Sequence, residues 1–344
     1  MKERVIKGKK VLLVTDHEII AAKGYSLYSQ KRGANKWEKY AKIKDTKKAF
    51  FSHLRITSRL LRAELNKLYI LPDGCQLCIA RKGIFRKTPE SKVFTKCFKI
   101  PRGSRPMNIC YDEDSGKLYF GEYFTNYEKI PVHIYCSEDM GLTWNIVYTF
   151  EEGMINHIHG IYKDPYTRDL WVATGDRVDE CIIGHTSDGF KTLDIVVRGG
   201  QDYRTCVLFF YQDYVIFATD SQYQECFIKK IDRKTHEIET IQPVQGPVIR
   251  GVECGDLAII CTDVEPTEVH KDKHAYIWYS YDGLNWKVLY REKKDCLSAK
   301  YFQFGTFDLP YYLSDKTDFV YATGKALRHC DGDTIVFPID VLMR

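Results

Sequence analysis

The sequence has no apolar stretch long enough to cross a membrane as a helix, so no membrane span is expected. The apolar run near its start, Val11 to Val14, stops at Asp16 and is too short for the core of a secretory signal, which reads as a cytoplasmic location. No Pro/Gly/Ser-rich linker divides the 344 residues, and this favours one large closed structure over a string of small domains. Charge of one sign is also lacking. With 51 basic against 46 acidic residues the formal balance is only +5, too mild to argue for a nucleic-acid partner. The lone Cys75-Gln76-Leu77-Cys78 has no second pair, which weighs against a four-cysteine zinc site. The twelve cysteines are otherwise scattered singly and read as reduced and buried.

What the chain does have is material for strands: 24 Tyr, 18 Phe and many Val and Ile, with only short helix-like patterns. One strand motif returns seven times, as Val11–Asp16, Leu68–Asp73, Leu118–Glu122, Leu170–Asp176, Val215–Asp220, Leu257–Asp263 and Phe319–Gly324. The copies stand about 42 to 62 residues apart, the length of a four-stranded propeller blade. A blade cannot bury both faces alone, so the copies must stack. The spacing predicts an all-β, seven-bladed propeller of four-stranded antiparallel blades, one domain over 1–344, with six blades as the alternative. The blades centre on 10–50, 51–101, 102–152, 153–199, 200–244, 245–295 and 296–344. The last is one strand short, and Glu3 to Gly8 is available to complete it, removing two sheet edges.

A second periodic element is a hairpin signature. Ser137-Glu138-Asp139-Met140-Gly141-Leu142-Thr143-Trp144 carries serine, aspartate, glycine, threonine and tryptophan at offsets that make a turn between two strands. Thr186 to Leu193 and Ser280 to Trp286 are partial copies, and Ser29 to Trp37 is a decayed one. This pattern resembles the Asp-box of bacterial neuraminidase repeat proteins. The resemblance implies a sialidase-like propeller in which Asp139, Asp188 and Asp282 cap outer hairpins. It further implies a carbohydrate-active protein of glycoside hydrolase or polysaccharide lyase type, or a non-catalytic glycan- or protein-binding propeller. Phe98-Lys99-Ile100-Pro101 has lysine where the sialidase site motif has arginine.

In such a fold the segments entering each first strand and leaving each second strand gather at one mouth. The entering segments carry basic groups, namely Arg55 or Arg59, Arg105, His157 with His159, Arg204, Arg250 and Lys300. The leaving ends carry Asp16, Asp73, Glu122, Asp176, Asp220 and Asp263. Either these charges pair and tie the blades together, or they form a pocket for an anionic carbohydrate, since arginine grips carboxylate bidentately. Polar groups crowd most densely in the third to fifth repeats. There Glu122, Asp176, Tyr123 and His157 are the candidate acid–base groups. Arg105, His159, Gln201, Arg204, Asp220 and Arg250 are the candidate substrate contacts. Residues two apart on a strand face one side, so His157 and His159 either share a proton, bind a metal or form a structural pair. The His-x-His strand resembles that of oligogalacturonate lyase propellers, though no further ligands are assigned, and no cofactor is expected.

Overall fold

Alternating and continuous apolar runs separated by short polar turns become strands. The computed structural model, which describes residues 4–44, 46–80, 82–314 and 318–339, is almost entirely β. Its strands form seven four-stranded antiparallel blades, the architecture of a β-propeller. By internal contacts the chain divides into two compact units.

One unit holds sheets 3 to 5. Sheet 3 comprises Cys110–Asp112, Lys117–Gly121, Val132–Ser137 and Asn145–Phe150. Sheet 4 comprises His157–Lys163, Leu170–Gly175, Cys181–Thr186 and Asp194–Gly199. Sheet 5 comprises Thr205–Phe210, Tyr214–Thr219, Cys226–Asp232 and Ile238–Val244. The facing residues of sheets 3 and 4, including Ile134, Phe150, Ile161, Val172, Ile182 and Phe190, make one apolar cluster, and Trp171 and Ile183 of sheet 4 make another with Leu208, Phe210 and Phe217 of sheet 5. Each such side chain contributes about 1.5–3 kcal/mol by leaving water.

The other unit holds sheet 1 (Lys10–Val14, Glu18–Lys23, Ser26–Lys31 and Glu38–Ile43), sheet 7, and most of sheet 2 (Lys67–Ile70, Gln76–Ala80, Gly83–Lys87 and Val93–Phe98) and sheet 6 (Val248–Cys254, Leu257–Thr262, His274–Ser280 and Lys287–Lys293). Sheet 7 joins Thr306–Asp308, Phe319–Lys325 and Thr334–Pro338 to the N-terminal Arg4–Ile6, in register Arg4 to Val336 and Ile6 to Thr334. The N-terminal strand thus completes the last sheet, as its missing fourth strand required. Glu3, expected in that strand, lies outside the described residues. Sheets 1 and 2 are also joined to each other, because Lys42 and Ile43 of one fourth strand pair in parallel with Val93 and Phe94 of the other.

The recurring apolar motif turns out to occupy two different places. In sheets 3 to 7 it is the second strand, but in sheets 1 and 2 it is the first, Lys10–Val14 and Lys67–Ile70. The reason is that strands covered on both faces read as unbroken apolar runs whatever their position. Leu170–Gly175 and Leu257–Thr262 are buried at every residue, whereas Asn145–Phe150 is buried only at Phe150. Two short helices, α1 (Thr46–Ser52) and α2 (Arg55–Leu61), precede sheet 2, and α3 (Ala299–Phe302) precedes sheet 7.

The Ser137–Trp144 hairpin joins the third and fourth strands of sheet 3. Asp139 Oδ1 accepts hydrogen bonds from the Leu142 and Thr143 amides at 3.0 and 2.8 Å, and Ser137 Oγ accepts one from Gly141 at 2.8 Å. Trp144 packs against Phe98 and Phe120. Asp188 and Asp282 cap the corresponding hairpins of sheets 4 and 6 through Thr192 and Asn285 amides. All twelve cysteines are free thiols, and ten of them are buried.

Candidate functional site

The polar centre of sheets 3 to 5 is built on the first strand of sheet 4. His157 and His159 stand two apart there and turn to one side, with their Nε2 atoms 3.0 Å from each other. Gly175 makes room for them, since a Cβ at that position would lie 2.5 Å from the His159 ring. Asp176 follows at the end of the second strand. Its Oδ1 is 3.0 Å from His159 Nε2 and its Oδ2 is 3.3 Å from His157 Nε2.

Backbone carbonyls orient both rings. His157 Nδ1 lies 2.9 Å from the Phe124 carbonyl oxygen and His159 Nδ1 lies 2.8 Å from that of Thr205. A carbonyl oxygen only accepts, so each Nδ1 carries a hydrogen, with the Asn156 side-chain nitrogen also 3.1 Å from His157 Nδ1; each Nε2 faces the centre, as a lone pair when its ring is neutral and as a donor to Asp176 when its ring is charged. Burial raises the Asp176 carboxyl, but the two imidazoles outweigh it and hold the group far below the usual carboxylate range.

Arg204 and the next two acidic groups lie alongside. Arg204 Nη2 reaches Asp176 Oδ1 at 2.9 Å and Asp220 Oδ2 at 3.4 Å. Asp220 also accepts from the Cys206 thiol at 3.2 Å, and burial pushes its carboxyl up. Gln201 donates to the Asp176 carbonyl and accepts from Ser221 Oγ. Asn156 donates to Asp176 Oδ2 at 3.2 Å. The Tyr123 ring sits 4.2 Å from that of His157, centroid to centroid, and burial raises its phenol well above the ordinary value.

The structure therefore brings Tyr123, His157, His159, Asp176, Gln201, Arg204 and Asp220 together. Three other sequence candidates are placed differently. Glu122 is buried and fully occupied, held by both arms of Arg102 and by the His133 amide at 2.9 Å. Arg250 belongs to the other unit, where it is held between Asp308 at 2.7 Å and Asp263 at 2.9 Å. Arg105 is half-buried in the loop before sheet 3 and is not among the residues lining the cavity described next.

Asp176 also lines a cavity of about 530 Å³, together with Thr125, Tyr127, Asn156, Arg177, Val178, Gln201, Gln222 and Tyr223; His157 and His159 lie behind it, buried and outside the lining. That volume is in the range of small-molecule sites. Tyr127 is 80% exposed and Tyr223 is 64% exposed, so two aromatic faces stand at its rim. Asp176 is the one carboxylate among these lining residues. Arg177 also lines the cavity, and its guanidinium pairs with no carboxylate within 4.0 Å among the described residues. Sequence reasoning missed Arg177, Tyr127 and Tyr223. Arg177 had a signal in its place directly after Asp176, but the tyrosines lie in loops with no periodicity to mark them.

No protein-family model matches the chain, and no curated protein matches it. Solved structures do. A structure of oligogalacturonate lyase in complex with manganese matches with TM-score 0.58 and 9% identity, over 95% of this chain and 87% of that one. YCF48 bound to a peptide matches with TM-score 0.57 and 11% identity, over 98% and 97%. A catalytically inactive virginiamycin B lyase from Staphylococcus aureus with quinupristin matches with TM-score 0.57 and 13% identity, over 97% of each. At such identities the likeness shows the propeller fold alone, a fold that serves many functions.

Proposed function

We propose that this protein is carbohydrate-active and takes an acidic glycan into the cavity of sheets 3 to 5, with elimination favoured over hydrolysis. The observation that carries the reading is the position of Arg177, a residue of the cavity lining whose guanidinium has no carboxylate partner among the described residues, lining the same space as Asn156, Gln201 and Gln222. A uronate-type carboxylate would be gripped by that arginine, the amides would bond sugar hydroxyls, and the rim faces of Tyr127 and Tyr223 would stack on pyranose rings. The Asp-box likeness of the hairpins and the lyases among proteins of similar fold support the same class.

Hydrolysis asks for two carboxyl groups about 5–9.5 Å apart across the scissile bond. The cavity wall offers only Asp176, and Glu122 is taken up by Arg102. Elimination asks instead for neutralisation of the acidic group and one proton transfer. A base takes the proton next to the carboxylate, that electron pair forms a carbon–carbon double bond, and the glycosidic oxygen leaves and is protonated. The groups nearest the cavity for this transfer are Asp176, which lines it, and Tyr123, His157 and His159 packed around Asp176.

The test is a screen of uronate-, sialate- and Kdo-containing glycans by calorimetry, with unsaturated-sugar absorbance as the readout of turnover. Arg177→Ala should weaken binding at least about tenfold, with Arg177→Lys intermediate. Binding without turnover would leave a glycan-binding propeller. Failure of every acidic glycan to bind would overturn the reading.

A further inference from the structure

We propose that His157, His159 and Asp176 hold a divalent transition-metal ion at the floor of this cavity. Their donor atoms lie within 4.8 Å of one another. With both Nδ1 hydrogens committed to carbonyl oxygens, the neutral rings turn two Nε2 lone pairs toward the Asp176 carboxylate, the three donor atoms converging at 3.0 to 3.3 Å. Either a proton on one Nε2 or a metal ion must occupy the space among these three groups, and titration with metal distinguishes the two. Arg204 already serves Asp176 from the side and Asp220 beyond it, which leaves two carboxyl groups to one guanidinium at this floor.

The surroundings are those of a metal centre. Ligating imidazoles are normally fixed by a hydrogen bond from the other ring nitrogen, and a ligating carboxylate is itself hydrogen-bonded. Here Phe124 and Thr205 carbonyls do the first, and Asn156 and Arg204 do the second. Two nitrogens and one oxygen suit zinc, cobalt or manganese and leave coordination positions open toward the cavity. The neighbouring His159–Cys206–Asp220 group shares His159, but its thiol and carboxyl are already bonded to each other. The ion would stand where the acidic group of the proposed glycan arrives, and with both imidazoles engaged Tyr123 would remain to move the proton. The metal site itself does not rest on the glycan reading.

The experiment is titration of chelator-treated full-length protein with Co²⁺, Zn²⁺ and Mn²⁺, reading calorimetric stoichiometry and the visible Co²⁺ spectrum. One ion per chain is expected. Asp176→Asn, His157→Gln and His159→Gln should each weaken binding beyond the roughly 10–100-fold that follows loss of an outer-shell partner. Arg177→Ala should keep the metal while losing the glycan, so the two proposals fail separately. No Co²⁺ spectrum in the wild-type chain would overturn the site without recourse to any variant. Variants that fold by circular dichroism and bind as wild type would overturn it equally.

A different observation, in the other unit, carries a second proposal. Phe50, Phe51, Leu54, Ile56, Leu60 and Leu61 of the α1–α2 segment are exposed, Phe50 at 75%. Among the described residues the exposed charges beside them, Lys44, Arg62 and Lys300, are all basic, while Glu64 is buried against Lys325. We infer that this segment docks on an anionic lipid surface, its apolar side chains entering the headgroup boundary and its bases meeting lipid phosphates. Full-length protein should sediment with phosphatidylglycerol-containing vesicles and not with phosphatidylcholine vesicles, and release as salt rises. Leu54→Glu with Leu60→Glu should abolish this, and Arg62→Gln should weaken it about fivefold. Equal binding to both vesicle types, no binding, or binding unchanged in the double variant would overturn it.

Discussion

Arg250 and Arg204 occupy equivalent places in the sequence repeat, each at the entry to a first strand, and the structure surrounds them in opposite ways. Around Arg250 the charges run as a closed series. Asp263 and Asp308 hold Arg250, Lys10 and Lys325 share Asp308, Lys325 reaches Glu64, and Arg55 and Arg59 bind Asp331, with Asp295 also on Arg59. Lys294 reaches Asp295 as well, at 3.0 Å, so five carboxylates meet six cations and every carboxylate has at least one cation to itself or shared. Around Arg204 the count does not close, because Asp176 and Asp220 share one guanidinium. A balanced set of buried charges is scaffold. An unbalanced one beside a cavity is a place for a ligand.

The largest expected effect lies in the balanced set. Asp308→Asn removes the carboxylate shared by Arg250, Lys10 and Lys325 and leaves buried cations uncompensated, which should cost about 3–5 kcal/mol in urea unfolding. A loss below about 1 kcal/mol would mean that this network is not what holds its sheets together.

The same set should set the acid limit of the fold. Burial by itself raises the Glu64 carboxyl, but Lys325 and Lys10 outweigh it and hold it at about 2, against 4.5 for a free group. Because the folded value is the lower one, its stabilisation is present above about 4.5 and is lost as pH falls toward 2. Thermal melts across that window should steepen in the wild-type chain and flatten in Glu64→Gln. Identical profiles would remove Glu64 from the account.

In the unbalanced set the expectation reverses. Asp176→Asn relieves a crowd of acceptors and leaves Arg204 with Asp220, so stability should move by no more than about 1 kcal/mol while binding in the cavity is lost. An unfolding cost as large as that of Asp308→Asn would erase the distinction between the two regions.

How much of this was legible in the sequence follows from what each residue answers to. Strands such as Leu170–Gly175 answer to burial on both faces, so seven repeats and the missing outer strand were readable from pattern alone. The same uniformity hid which strand of the blade each run occupied in sheets 1 and 2. His157 and His159 were placed correctly on one side because period two needs no tertiary knowledge. Pairing does need it. Arg250 finds Asp308 fifty-eight residues away and Arg102 takes Glu122 from the next turn of chain, and no local signal separates these from the unpaired Arg177. The exposed α1–α2 segment was not anticipated, because helical periodicity over seven residues is too short to read.

The smallest effect concerns the hairpins, which serve neither charge set. Asp139 accepts from two amides and from the Ser137 and Thr143 hydroxyls, and these bonds together outweigh the desolvation that would raise its carboxyl. The group is nearly solvent-exposed, so Asp139→Ala should cost only about 1 kcal/mol, the net worth of such hydrogen bonds in water. It should leave metal and glycan binding as they are, since Asp139 caps the turn between the third and fourth strands and is absent from the lining of the cavity. Calorimetry on the variant at a temperature well below its midpoint checks both halves together. A loss of ligand binding without a loss of fold would show that the hairpin reaches the site, and the separation of scaffold from site argued from Arg250 and Arg204 would then have to be redrawn within sheets 3 to 5.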